Sequence, residues 1–222
     1  MQGKAMKTKL NIEVNVARSD ADRDAALQVL REVYVEDKQW LMDADEIFPQ
    51  TDLAHKGITW LIVSVDKQPA GVLRILYELP VELYTQYDFK LLDTDLDIEA
   101  FLSENKIAEI GRFAVLRRYR RRISVVMALI NMAAAETMNR GFSHFVTDVF
   151  EGEINSPLKF HINVIGFKPI ATHDVGEINC PNRRVTLILN LNEAYRRLKK
   201  VNSRLYRNFH QSLDPAVAQQ LP

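Results

Sequence analysis

The chain has a single cysteine, Cys180, in 222 residues. No intramolecular disulfide can form, and nothing calls for a cysteine-based metal site or an oxidising compartment. Net charge is also missing, because 29 Lys+Arg stand against 29 Asp+Glu. A general nucleic-acid binder carries a basic face over most of its domain, and this balance argues against one. No window is apolar over the length of a membrane span, and the amino-terminal stretch MQGKAMKTKLNIEVNV has lysines but no apolar signal region. The expectation is a soluble, cytoplasmic protein whose fold rests on its core. With 47% hydrophobic residues the chain is rich enough for one α/β core, while its length falls short of two average domains.

Periodicity orders the elements. NIEVNV alternates as a first strand, and Ser19 stands as an N-cap before a helix over residues 20–34, with Ala26, Val29, Leu30, Val33 and Tyr34 on one face. TWLIVSV and AGVLRILYEL read as a hairpin joined by DKQP. Residues 79–105 have no clean period and carry six acidic residues from 87 to 104. They predict an irregular, solvated insertion with one short helix near residues 97–103, a binding lid being the alternative. KIAEIGRFAVL follows as a strand, then a helix over residues 123–139 that is apolar on several sides and is closed by Gly141. SHFVTDVF reads as a strand, SPLKFHINVIGF as a helix ending at Gly166, and RRVTLILNL as a late strand. NEAYRRLKKVNSRLYRNFH is a basic amphipathic helix before a loose end. The order predicts one mixed central sheet with helices on both faces.

Against the neutral balance, RRYRRRIS at residues 117–124 puts five arginines into six positions. The run sits between a strand and the start of a helix, where unpaired backbone N–H groups and the positive end of the helix dipole attract anions. Arg120, Arg121 and Arg122 add charge-assisted donors suited to phosphate. A phosphate cradle and a solvated basic turn are both open readings; a nucleic-acid surface would find only Tyr119 within the run for stacking.

EIGRF, residues 109–113, is the second constellation. On a regular strand Glu109 and Arg112 point to opposite faces; Gly111 between them permits a bulge that brings both to one side and frees a backbone N–H. A carboxylate base, a guanidinium and an amide would then surround one point. The alternative is a buried Glu–Arg pair that only stabilises the sheet. Arg74, a charge inside the apolar stretch GVLRI, needs a partner or a ligand.

The strand ending at Val115, the positive strand-to-helix turn, the buried helix and LKFHINVIGF before a strand resemble a GCN5-related N-acetyltransferase (GNAT) over residues 10–190, with residues 191–222 as a helical extension on or near the same domain. The resemblance implies that Phe113, Ala114, Val115, Arg120, Arg121, Arg122, Ile123, Ser124 and Val125 bind the pantetheine and phosphate of an acyl donor. YRRRIS replaces the usual glycine-rich turn, and Ile162, flanked by His161 and Asn163, stands where a tyrosine acid is usual.

EIGRF followed by an arginine-rich turn resembles more particularly the acyl-homoserine-lactone (autoinducer) synthases and the N-acyl amino acid synthases, which take acyl chains from acyl carrier protein. Arg31, Tyr34 and Trp40 in LREVYVEDKQW, and Arg74, resemble motif residues of those enzymes; Asp52 stands where one of two acidic residues is expected. The resemblance implies transfer of a long acyl chain from acyl carrier protein, or from coenzyme A, to the amine of an amino acid. Glu109 and Arg112 would be catalytic, and Arg74, Tyr34 and Trp40 would surround the acceptor, with no permanent cofactor and no metal. No covalent intermediate is needed, so Cys180 is expected to be structural. The alternatives are a lactone synthase using S-adenosylmethionine, an acetyl-coenzyme A-dependent N-acetyltransferase, and a phosphate- or nucleic-acid-binding module without catalysis. An amphiphilic product would also suit a peripheral membrane contact through the basic tail.

Overall fold

The computed structural model describes residues 10–79, 87–92, 94, 97–152, 157–176, 178, 180–201 and 204–221. Its strands are β1 (Ile12–Val16), β2 (Ile58–Val65), β3 (Gln68–Leu76), β4 (Lys90–Leu91), β5 (Ile107–Val115), β6 (His144–Phe150), β7 (Lys168–His173) and β8 (Arg184–Asn190). Among the described residues they form one sheet in the order β1-β2-β3-β5-β6-β8-β7-β4. β5 and β6 are parallel; the other neighbours are antiparallel. The helices are α1 (Asp20–Leu30), α2 (Ile98–Glu104), α3 (Ile123–Asn139), α4 (Leu158–Phe160), α5 (Leu191–Lys200), α6 (Arg204–Ser212) and α7 (Pro215–Gln220).

β2 and β3 read as nearly continuous apolar runs because both their faces are covered. Leu61, Val63, Leu73 and Ile75 join a core under α3, whereas Trp60, Ile62 and Val72 join a second core under α1. Asp66 and Lys67 take φ of 50° and 68°, the two left-handed residues of a tight hairpin. β3 therefore begins at Gln68, and Pro69 lies inside the strand beside a register shift that tolerates it. α1 starts at the reciprocal cap between Ser19 and Asp22 and widens after Leu30 into a π turn, Arg31–Asp37.

α3 is apolar on several sides because it lies between the sheet and the tail. Val125, Leu129 and Ala133 share one buried cluster with Tyr195, Phe209 and Leu213. The tail is thus three helices that complete the core, and Asp214 caps α7 with Pro215 in its first turn, where the sequence pattern suggests a loose end.

The insertion over residues 79–105 has the short helix the sequence suggests, α2, and none of its described residues is buried, yet aromatic contacts tie it to the sheet. Residues 80–86, 93, 95 and 96 lie outside the described ones, but β4 pairs with β7 at the far edge of the sheet. Tyr87 and Phe89 stack on His173 with ring centroids 5.6 and 4.5 Å away, and Phe101 meets His144 edge-on at 5.3 Å. His173 is the register partner of Arg184, Arg184 lies over the Phe150 ring at 5.0 Å, and Phe150 packs on the core under α1. The insertion consequently covers the α1 face of the sheet, held by its aromatic residues despite its acidic ones. β7 is itself absent from the sequence pattern, since Lys168 and Pro169 at its start are exposed.

Phe209→Ala is expected to cost about 3–5 kcal/mol of stability, read by urea denaturation. A loss below about 1 kcal/mol, the range of an exposed substitution, would show that the tail is not part of the core.

Candidate active site

The ladder between β5 and β6 comprises Ile107–His144, Ala108–Phe145 and Glu109–Val146, although β5 runs on to Val115 and β6 to Phe150. Past Glu109 the two strands part, and a wedge opens in the middle of the sheet with Glu109 at its apex.

Glu109 belongs to the α1 face, where Arg74 Nη2 lies 3.2 Å from its Oε1; the two side chains are only 17% and 13% exposed. Each charge offsets the desolvation of the other. Gly111 pairs with Arg74 across the sheet, and a Cβ on it would lie 3.0 Å from Glu109 Oε1 and 3.7 Å from Arg74 Nη2. The glycine leaves room for the ion pair.

The bulge falls one residue later than the glycine suggests. Val72 pairs with Ala114 and Arg74 with Gly111, so Leu73 opposes both Arg112 and Phe113. Arg112 takes the left-handed conformation, φ 48°, which costs a non-glycine residue about 1–3 kcal/mol and is held only where the surroundings impose it. The extra residue brings Phe113 to the same core as Ile110, under α3, although their odd separation would oppose them on a regular strand.

The arginine run turns tightly after β5, through Tyr119 N to Leu116 O at 2.7 Å and Arg122 N to Tyr119 O at 2.8 Å. Arg118 donates to both oxygens of Glu32 at 3.1 and 3.2 Å. Arg120 donates through Nε to Val115 O at 2.8 Å and lies 2.6 Å from Asp37 through Nη2. The π turn after α1 is therefore a local partner of the run, and Glu32, Glu36, Asp37, Arg117 and Arg120 line a hollow of about 250 Å³. Arg120 is thus held from two sides, with its side chain 35% exposed. Arg121 and Arg122 are exposed, as are Ile123 and Ser124. α3 starts here with no side-chain cap and no acidic residue in its first turn, which leaves its N–H groups and dipole facing outward.

No family model and no curated protein matches the chain in sequence. Solved structures do match. FeeM, an N-acyl amino acid synthase from uncultured soil microbes, superimposes with a TM-score of 0.66 at 16% identity, covering 88% of this chain and 99% of that one. An N-acetyltransferase from Staphylococcus aureus Mu50 gives 0.58 at 15% identity over 82% and 99% of the two chains. The ribosomal-protein-S18-alanine N-acetyltransferase from Escherichia coli gives 0.54 at 11% identity over 81% and 94%. The chain has the GNAT fold.

On this GNAT scaffold the remaining candidates separate. Trp40 packs on Phe150 of β6 with centroids 4.6 Å apart, at the α1 side of the wedge. Tyr34 sits behind it, 5.8 Å away and 5% exposed, as part of the core. Asp52 accepts from Trp60 Nε1 at 2.9 Å, and Arg31 faces Asp45 at 3.5 Å; both stabilise the covering of the α1 face. Cys180 is buried in the same core. On the α3 side, His161 meets Phe113 edge-on at 6.5 Å, and its Nδ1 lies 2.9 Å from Pro157 O. Burial pushes its pKa below the ordinary 6.5. The ring is neutral at neutral pH, with its N–H given to the carbonyl and its Nε2 lone pair left as an acceptor.

Among the described residues no group of His, Cys, Asp and Glu side chains is arranged to hold a metal, and no helix is long and apolar enough to cross a membrane. One polar cluster carries no local signal in the sequence, because its members come from three strands: Asp148, His173 and Thr186.

Arg74→Met is expected to cost about 3 kcal/mol, because it leaves the largely buried Glu109 without its ion-pair partner, and adding Glu109→Gln should recover at least about 1 kcal/mol of that loss. A double-mutant cycle by chemical denaturation measures the coupling; strictly additive losses would show that the pair is not a unit.

Proposed function

We propose that the chain is an N-acyltransferase that moves an acyl group from a pantetheine thioester on acyl carrier protein to the primary amine of an amino acid or similar small acceptor. The observation that carries this reading is the wedge between β5 and β6, with a carboxylate at its apex and the uncapped start of a long helix at the end of β5.

An extended pantetheine arm can lie along β5 as an added strand, its amides meeting the backbone of Phe113, Ala114 and Val115. Its phosphate then reaches the first turn of α3, where the N–H groups of Ile123 and Ser124 and the guanidinium groups of Arg121 and Arg122 supply donors, the Val125 N–H being given to Arg122 O. Arg120 shapes that turn through Asp37 and Val115. The thioester carbonyl comes to rest at the bulge, and an amide there receives the developing oxyanion, a contribution of about 3 kcal/mol per donor.

The acceptor enters from the α1 face. Glu109 takes the proton of the attacking amine directly or through one water, and Arg74 lies against its carboxylate. Arg112, at the bulge, is the guanidinium assigned to the acceptor carboxylate, and Trp40 walls the entrance. The C–N bond forms, the C–S bond breaks, and the pantetheine thiolate leaves with a proton; no enzyme nucleophile takes part. Arg117, Arg121 and Arg122 form a basic rim suited to an acidic carrier protein.

The similarity to FeeM supports an amino acid acceptor. The N-acetyltransferases among the similar structures support acetyl-coenzyme A as the alternative donor. A lactone synthase is less well supported, since Asp52 is engaged with Trp60.

Mass spectrometry of lipid extracts from cells expressing the protein should show a new N-acylated amine. Glu109→Gln should lower its yield by about 10²-fold or more, the usual contribution of a general base. No new compound, or one unaffected by Glu109→Gln, would contradict the reading.

A further inference from the structure

The wedge has a second polar wall that the acyl transfer described above does not use. Val146 on β6 is the register partner of Glu109, and Asp148, two positions on, projects from the same face about 7 Å further along the strand. Phe150 is next on that face and packs on Trp40. Asp148 therefore lies between the apex and the aromatic entrance, across the opening from Gly111 and Arg112.

A carboxylate among apolar strands is costly unless it is held, and the neighbouring strand holds this one. Thr186 on β8 donates its hydroxyl to Oδ1 at 2.7 Å. The ring of His173 on β7 lies beside it, Nε2 3.1 Å from Oδ2 but not hydrogen-bonded to it. The imidazole is itself fixed, with Nδ1 2.6 Å from Val175 O and with the rings of Phe89 and Tyr87 stacked on it. Even so, the Asp148 side chain stays 28% exposed. A carboxylate offers about four lone-pair positions, and the Thr186 hydroxyl takes one of them. The result is a preset acceptor of hydrogen bonds on the face from which the amine enters.

We propose that Asp148, set in place by Thr186, recognises a second hydrogen-bond donor on the acceptor substrate, an ammonium or hydroxyl group remote from the attacking amine. The inference rests on the acyl-transfer reading. With the amine at Glu109, a donor one amino-acid side chain away reaches Asp148, and an acceptor without that donor leaves the carboxylate facing apolar surface.

The test uses the purified full chain with dodecanoyl-acyl carrier protein and two near-isosteric acceptor pairs, L-ornithine against L-norvaline and L-tyrosine against L-phenylalanine. One donor-bearing member should be favoured by about 10- to 100-fold in kcat/KM, the range for a hydrogen bond to a charged group. The first pair preferring ornithine identifies an ammonium; the second preferring tyrosine identifies a hydroxyl. In Asp148→Asn the favoured ratio should collapse to within about threefold of unity, the charge-assisted part of the bond being lost. Thr186→Val, which keeps the carboxylate and the strand, should lower the ratio several-fold through KM while kcat holds; it carries the test if Asp148→Asn fails to fold. Product formed with no preference in either pair, or a preference that survives both substitutions, overturns this proposal alone. Absence of product from all four acceptors overturns the acyl-transfer reading and this proposal with it.

Discussion

Two parallel strands that cease to be neighbours shape the rest of the molecule. β5 and β6 share a ladder only as far as Glu109 and Val146, and a strand edge opened in the middle of a sheet must find another partner for its backbone groups or leave them to water. The surrounding elements follow from that opening. The bulge at Arg112 and Phe113 re-aims β5 where the opening begins, and α3 starts just past its end. The π turn after α1 braces the chain that leaves β5. An ion pair that would be costly on an ordinary sheet face is retained where one of its members lines the opening.

The charge pattern has the same logic. A neutral chain places one dense run of arginines beside the opening, and two of them are held by Glu32 and Asp37. Exposed pairs of this kind contribute at most about 1 kcal/mol each, so their effect is geometric: they fix the turn and leave Arg121 and Arg122 at the helix start. The run is a turn in which some arginines are structural and others stay exposed.

Most elements were legible because each announces itself locally. Ser19 and Asp22 mark the start of α1, the apolar runs of β2 and β3 report burial on both faces, and the all-round apolar surface of α3 reports its enclosure. β4 is too short to show a period, and β7 opens with Lys168 and Pro169, which weaken any strand signal. α7 could have been found from Asp214 before Pro215, a cap and first-turn signature. In the site, Glu109, Arg74 and the bulge were readable as charge and glycine within strands, but the glycine's role was not: it makes room for a side-chain pair while Arg112 takes the unusual backbone. Asp148, His173 and Thr186 were invisible because each comes from a different strand, and only the sheet order brings them together.

The central claim is that the wedge between β5 and β6 receives the acyl-pantetheine arm. A crystal structure with a non-hydrolysable thioether analogue of dodecanoyl-pantetheine phosphate tests it directly. The account predicts the arm extended along residues 113–115, the phosphate at the first turn of α3, and the carbonyl carbon within reach of an amine bound at Glu109. An arm bound outside the wedge, or a carbonyl on the face away from Glu109, would contradict it.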